Sequence, residues 1–284
     1  MKKAEIIILS GQSNAVGVGR VECLPLHFDE KTIGKWREGF DKILINYYSH
    51  DKKSNGFVKT TLGCTEATKF TIGPEIGIAE ALSEKYPEKE FFIVKCAYGG
   101  MSLHTDFLSP SGDPKYDPEA YASQKKNIVE EYGIGEPIRA GWAYNELVKL
   151  LSESISYLSS IGYEPEVKAF CWMQGENDAC LPETTNQYAR LYDCMLRDLA
   201  GTFKGLFDHC IYVDAGISEI WPLYKELNGI KKAYAESRDN CRYIDTIGEG
   251  LTTKNEPAGE VDIYHYDSDC VVKLGRLFVR EFEA

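Results

Sequence analysis

The sequence is expected to fold as a three-layer α/β/α sandwich around a central, mainly parallel sheet. Three observations lead there. Short apolar runs recur along the chain, each stopped by a glycine-containing turn. The segments between them repeat apolar residues every three or four positions. The two kinds alternate, and strands alternating with helices imply βαβ units with right-handed crossovers.

Four runs read as strands. Glu5–Leu9 ends at Ser10-Gly11, Phe91–Ala97 at Gly99-Gly100, Val167–Met173 at Gln174-Gly175, and His209–Ile217 near Asp214-Ala215-Gly216. Unbroken apolar runs of this kind suit strands covered on both faces, as in a parallel sheet. Ile43–Tyr48 is a further strand candidate. Pro74 suits a first helical position, with Ile76, Ala79, Leu82 and Tyr86 as one stripe before Pro87. A second stripe holds Leu147, Leu150, Leu151, Ile155, Leu158 and Ile161, stopped by Gly162. Thr184 and Gln187 read as a capping box ahead of Tyr188, Leu191, Tyr192, Met195 and Leu199. Pro222 is expected to open a fourth helix through Leu227, Ile230 and Tyr234. Val271, Leu274, Phe278 and Phe282 mark a C-terminal one. Residues 1–284 are read as one domain, with elaborated loops near 20–71 and 102–137, and loops that long are usually functional.

Composition narrows the function. The chain has 284 residues, 43% of them hydrophobic and 27% charged, which is ordinary globular usage. Acids outnumber bases 44 to 32, giving a formal charge of −12, so nucleic acid and anionic lipid are poor partners. No run reaches the roughly 18 apolar residues of a membrane span. The run Ile6–Leu9 behind Met1-Lys2-Lys3 is too short for a signal peptide, so a cytoplasmic location is expected. The nine cysteines are spread without any C-x-x-C pair, and reduced, mostly buried thiols are expected. No His, Cys, Asp or Glu cluster has metal-ligand spacing, so neither metal nor cofactor is expected.

In an open parallel sheet, ligands bind beyond the carboxyl ends of the strands. Polar clusters stand there: Gly11-Gln12-Ser13-Asn14, Tyr98-Gly99-Gly100, Gln174-Gly175-Glu176-Asn177-Asp178, and Asp262-Ile263-Tyr264-His265 before the last helix. Ser13 is the candidate nucleophile, although a serine there could equally be a helix cap. His265 is the candidate base. Asp262, three residues earlier, could reach its Nδ1–H, and a surface ion pair is the alternative. Gly99, Gly100 and the Gln174 amide are candidate donors to an oxyanion; ordinary turns and a surface polar residue are the alternatives. Glu176 is expected to hold its loop in shape, with Asn14 as a second support of the site. Glu75 reads as a first-turn helix acid.

Taken in order, these pieces resemble the SGNH-hydrolase superfamily. Within it they are similar to the carbohydrate esterase family 6 and sialate O-acetylesterase group, which includes acetylxylan esterases. The matching residues are Gly11-Gln12-Ser13-Asn14, Gly73-Pro74-Glu75, Lys95 to Gly100, Trp172 to Glu176, and His265-Tyr266-Asp267-Ser268 with Leu274-Gly275. The resemblance implies a flavodoxin-like sandwich and a Ser13–His265–Asp262 triad. It implies an oxyanion hole from the Ser13 N–H, Gly99 or Gly100, and Gln174. It also implies metal-free removal of acetyl groups from O-acetylated sugars, as small molecules or oligosaccharides. Ala15, Met101 and Asn177 depart from the residues usual in that group, which puts the substrate in question but removes no catalytic group. A lipase or thioesterase of the same fold, and a non-catalytic carbohydrate-binding protein, are the competing expectations.

Overall fold

The computed structural model describes residues 2–49, 52–63, 71–112, 141–256 and 261–284. Its centre is an eight-stranded sheet. Six strands run parallel in the order β10 (Cys241–Ile244), β9 (Ile211–Ala215), β8 (Tyr163–Met173), β1 (Lys2–Gly11), β7 (Phe91–Ala97) and β3 (Phe40–Ser49). Two short strands, β4 (Lys52–Lys53) and β5 (Val58–Thr60), pair antiparallel with β3 at one edge. A separate two-stranded piece joins β2 (Gly19–Arg20) to β6 (Thr71–Ile72). The helices are α1 (Ser13–Val16), α2 (Glu30–Glu38), α3 (Glu75–Lys85), α4 (Trp142–Ser160), α5 (Pro182–Thr202), α6 (Tyr224–Glu236) and α7 (Ser268–Phe282). This is the expected mixed α/β sandwich with a mostly parallel sheet. Among the described residues no helix is long and apolar enough to cross a membrane.

The hydrophobic pattern explains the layers. Ile6, Ile7, Ile8 and Leu9 of β1 are all fully buried, and all seven residues of β7 are buried. A strand that shows no polar face must be covered on both sides. After β1 the chain goes out to β3, returns to β7, and then crosses to β8 on the other side of β1. The carboxyl end of β1 is therefore where the winding reverses. Gly11 is in register with Ala97 of β7 and Met173 of β8, so three strands end at one level. Gly11 has φ +137°, and a Cβ there would lie 1.9 Å from Met173 O. Only glycine can turn the chain at this point.

Helices α3 and α7 cross at very close range. A Cβ on Gly77 would fall 1.9 Å from Val272 O, and one on Gly275 would fall 2.0 Å from Pro74 O. Under the sheet end, Lys95 and Glu75 form a fully buried ion pair at 2.7 Å. Lys95 Nζ also donates to Val16 O at 2.6 Å, which ties β7 to α1. Glu75 accepts the Gly73 N–H as well, so this helix acid is an internal tether. Lys95→Met is expected to lower the unfolding free energy by about 3–5 kcal/mol, because the fully buried Glu75 carboxylate loses its 2.7 Å ion partner. Urea denaturation reads this directly. A loss below about 1 kcal/mol would mean that the pair adds little beyond its own desolvation cost.

Several expectations need correction. The stretch near 20–71 is not loop throughout: besides β3, which contains the expected strand Ile43–Tyr48, it carries α2 and the short strands β4 and β5. Helix α2 escaped notice because it buries only Ile33 and Trp36, too few residues to display a period. Its start does carry a signal, since Asp29 accepts the Thr32 N–H at 2.7 Å. In the second stretch, 102–112 forms turns and a short 3₁₀ helix, Pro110–Gly112, and 113–137 lies outside the described residues. Thr184 and Gln187 form no capping box. Helix α5 begins at Pro182, whose missing N–H suits a first position, and Thr184 Oγ1 donates to Asp178 O and Leu181 O. Pro222 lies in the turn before α6, which starts at Tyr224. Strand β10 is four residues long and was missed. Cys64 lies outside the described residues; the other eight cysteines are free, and all but Cys180 are buried.

Candidate active site

The loops that follow β1, β7 and β8 meet above the sheet and are clipped together by their own backbones. Gln12 N–H donates to Met173 O at 2.9 Å, and Tyr98 N–H to Gly11 O at 3.2 Å. Ser13 is the first residue of α1 and is half-buried, while Asn14, Ala15 and Val16 behind it are buried. Ser13 opens on a pocket of about 320 Å³ that Gln12, Gly99, Gly100 and Asn177 also line. Val18, Trp221, Tyr264 and His265 complete the lining. The structure thus brings together Ser13, both glycines and His265 around one cavity. Ser13 and His265 share that cavity without a direct hydrogen bond, as is common before substrate binds.

His265 is held by its own loop. Its Nδ1 lies 2.7 Å from Asp262 Oδ2. Asp262 Oδ1 accepts the Tyr264 N–H at 2.9 Å and the His265 N–H at 3.3 Å. One carboxylate therefore fixes both the ring and the turn that carries it. Partial burial works against ionising Asp262, but the hydrogen bond and charge of His265, with the two backbone N–H groups, hold its carboxyl below the ordinary value.

Asn14 joins three segments. Its Nδ2 donates to Glu176 Oε1 at 2.9 Å, and its Oδ1 accepts the Tyr266 N–H at 3.0 Å. With its amide turned to satisfy its neighbours, Gln12 Nε2 donates to Glu176 Oε2 and Met101 O, both at 3.1 Å. Glu176 is fully buried, and burial raises its carboxyl pKa while the Asn14 bond pulls it back. It shapes the loop and does not line the pocket. Asp178, also fully buried, accepts the N–H groups of Leu103 at 2.8 Å and His104 at 3.0 Å. Burial raises its pKa, and these bonds oppose the rise. Asp178 thereby pins the loop that carries Gly99 and Gly100.

Gln174 is placed differently from the expectation. It is fully buried and does not line the pocket. Its Nε2 donates to Asp178 Oδ2 at 2.6 Å and to Met101 O at 3.2 Å, so both amide hydrogens are directed into the loop framework. The neighbouring Asn177 lines the pocket instead, with one amide hydrogen donated to Gly100 O. Sequence reasoning placed Asn177 and Tyr264 in the loop clusters but gave neither a role in the site, and it missed Trp221. Tyr264, between Asp262 and His265, was legible as a site neighbour; nothing local marks Trp221.

The remaining histidines stand elsewhere. His104 faces Thr105 Oγ1, His209 is exposed just ahead of β9, and His50 lies outside the described residues. His27 pairs with the buried carboxylate of Glu256, whose second oxygen accepts from Ser268 N–H and Oγ. His27, Glu256 and Asp269 bring donor atoms within 4.8 Å of one another, a group that could take a metal ion. Their spacing in sequence hid them, because the contact spans the whole chain.

A family model described as "Carbohydrate esterase, sialic acid-specific acetylesterase" matches residues 3–284. No curated protein matches. Among solved structures, a protein from Arabidopsis thaliana is similar, with 19% identity and a TM-score of 0.61, over 100% of this chain and 98% of that one. NanS is similar at 16% identity and a TM-score of 0.60, over 99% and 98% of the two chains. A carbohydrate acetylesterase from Xanthomonas citri aligns at 13% identity and a TM-score of 0.58, over 98% of this chain and 56% of that one. At these identities the structures speak for the fold alone. The family match runs over nearly the whole chain and includes all four loop clusters, and on that ground the protein belongs to the carbohydrate esterase, sialic acid-specific acetylesterase family.

Proposed function

We propose that the protein is a serine-dependent carbohydrate O-acetylesterase in which Ser13, His265 and Asp262 form the catalytic triad. The observation that carries this reading is the 2.7 Å contact between His265 Nδ1 and Asp262, on a ring that shares its pocket with Ser13. Asp262 keeps the proton on Nδ1, which leaves Nε2 to accept one from Ser13 Oγ. The oxygen attacks the acetyl carbonyl and gives a tetrahedral oxyanion. Collapse breaks the bond to the sugar oxygen, which takes the proton from Nε2. A water molecule then gives a proton to Nε2 and attacks the acetyl-serine, and acetate leaves as Ser13 regains its proton.

The oxyanion needs donors already aimed at it. Ser13 N–H, at the start of α1, and the N–H of Gly99 or Gly100 are our candidates. Asn177 supports this reading as a third donor, since one of its amide hydrogens is committed to Gly100 O and the other remains. Gln174 then acts as a brace between Asp178 and Met101. The pocket volume of about 320 Å³ lies at the low end for small-ligand sites (about 300–1,000 Å³) and favours an acetyl group with one sugar ring over a long acyl chain.

Acetate release from acetylated xylan, O-acetylated sialic acid and simple sugar acetates tests the activity, with p-nitrophenyl acetate against the octanoate for acyl length. Acetyl esters are expected to exceed octanoyl esters in kcat/KM by at least about tenfold, or ~1.4 kcal/mol on the barrier. A preference for the long chain would make the protein a lipase-type hydrolase.

A further inference from the structure

One wall of the pocket is aromatic. The rings of Trp221 and Tyr264 lie 5.7 Å apart at 44°, and both line the cavity that holds Ser13 and His265. Tyr264 is 51% exposed, so the wall has an open face. It is nevertheless rigidly mounted, because the Tyr264 N–H donates to Asp262 Oδ1 at 2.9 Å. Trp221 Nε1 is buried and, among the described residues, has no hydrogen-bond partner.

We infer that Trp221 and Tyr264 are the sugar-binding wall of the site and that they recognise the pyranose ring of a neutral acetylated sugar. This rests on the esterase reading above and names its substrate class. The placement follows from the chemistry. The acetyl carbonyl must lie between Ser13 and the glycine N–H groups. The leaving oxygen must lie toward His265, which returns the proton to it. Tyr264 immediately precedes His265, so the wall flanks the leaving group and not the acyl group. The C–H face of a pyranose packs on aromatic planes such as those of Trp221 and Tyr264.

Charge selects among sugars. Aromatic faces carry negative potential, the Asp262 carboxylate stands behind His265, and the chain carries a formal charge of −12. Among the described residues the lining contains no lysine or arginine to offset a substrate carboxylate. A neutral ring therefore suits this wall better than an acidic one.

The test compares three acetyl esters: a mono-O-acetylated methyl xylopyranoside, ethyl acetate and O-acetylated sialic acid. Trp221→Ala should lower the ratio of kcat/KM for the xylopyranoside over ethyl acetate by at least about tenfold, mainly through KM. Trp221→Phe, which keeps a ring, should retain most of that ratio and guards against misfolding. Wild-type protein should favour the xylopyranoside over the sialate by at least about tenfold. Saturation-transfer NMR on Ser13→Ala with methyl β-xylopyranoside should show binding that the added Trp221→Ala change removes. Equal losses on ring and acyclic esters, absence of the binding signal, or preference for the sialate would overturn the inference. Binding of the xylopyranoside without turnover of any ester by the wild type would support the wall while overturning the esterase reading.

Discussion

Ser13→Ala is expected to lower kcat for acetyl ester hydrolysis by about 10⁴–10⁶-fold while the protein stays folded. The size follows from what the substitution removes. Without Oγ no acyl-enzyme forms, and His265 can only assist direct attack by water, so what survives comes from binding and the oxyanion donors. The fold should tolerate the change. Ser13 is half-buried at the head of a four-residue helix, and its side chain makes no hydrogen bond among the described residues. The clips that hold this corner belong to Gln12, Asn14 and the backbone of Gly11. The melting temperature should therefore move by little, and KM should stay close to that of the wild type. Steady-state kinetics and thermal melting on one preparation decide the matter. Near-native turnover would remove Ser13 from the chemistry and with it the proposed mechanism.

The central strands and the corners they present were legible because burial on both faces leaves a continuous apolar run. Phe91–Ala97 was located to the residue, and the turns after it and after Gly11 follow from glycine chemistry. Short elements were not legible. Cys241–Ile244 is too brief to show a pattern, and α2 shows only Ile33 and Trp36 to the core. Within the site, the Asp262–His265 contact could be read because it is local, three residues apart in one turn. Contacts between distant segments could not. Nothing near Asn14 says that it will hold both Glu176 and Tyr266, and nothing near Lys95 points to Glu75. Gln174 shows the limit most clearly. Its position after a buried strand was legible, but the direction of its amide depends on Asp178 and Met101, which reach it only after three loops have assembled. A donor type at the right strand end is thus not yet a donor aimed at the ligand.

Asp262→Asn should cost about 10⁴-fold in kcat near neutral pH, with kcat/KM falling by a similar factor. The substitution keeps shape and changes only which atom carries a proton. The remaining carbonyl oxygen can still accept the N–H groups of Tyr264 and His265, now bonded to Oδ1 at 2.9 and 3.3 Å, so the turn should persist. The new amide then faces His265 Nδ1, where the carboxylate stood at 2.7 Å. An N–H there can only donate, so Nδ1 must become the acceptor and the ring proton moves to Nε2. Nε2 then has no lone pair for the Ser13 proton, and the charge that steadied the imidazolium is gone. Stability should change far less than rate. The Asp262 carboxyl sits below its ordinary value when folded, so its contribution is complete above the unfolded carboxyl range and is lost as pH falls through the lowered value. The side chain is 34% exposed, and solvent screening keeps that contribution small. Asp262→Ala makes the useful contrast, since it removes the backbone acceptors as well. It should add a lower melting temperature and a raised KM as the turn carrying Tyr264 loosens. If Asp262→Asn loses less than about tenfold in kcat, roughly 1.4 kcal/mol on the barrier, the carboxylate does not set the working tautomer. The base must then be sought elsewhere, first at His104, which lies on the loop pinned by Asp178.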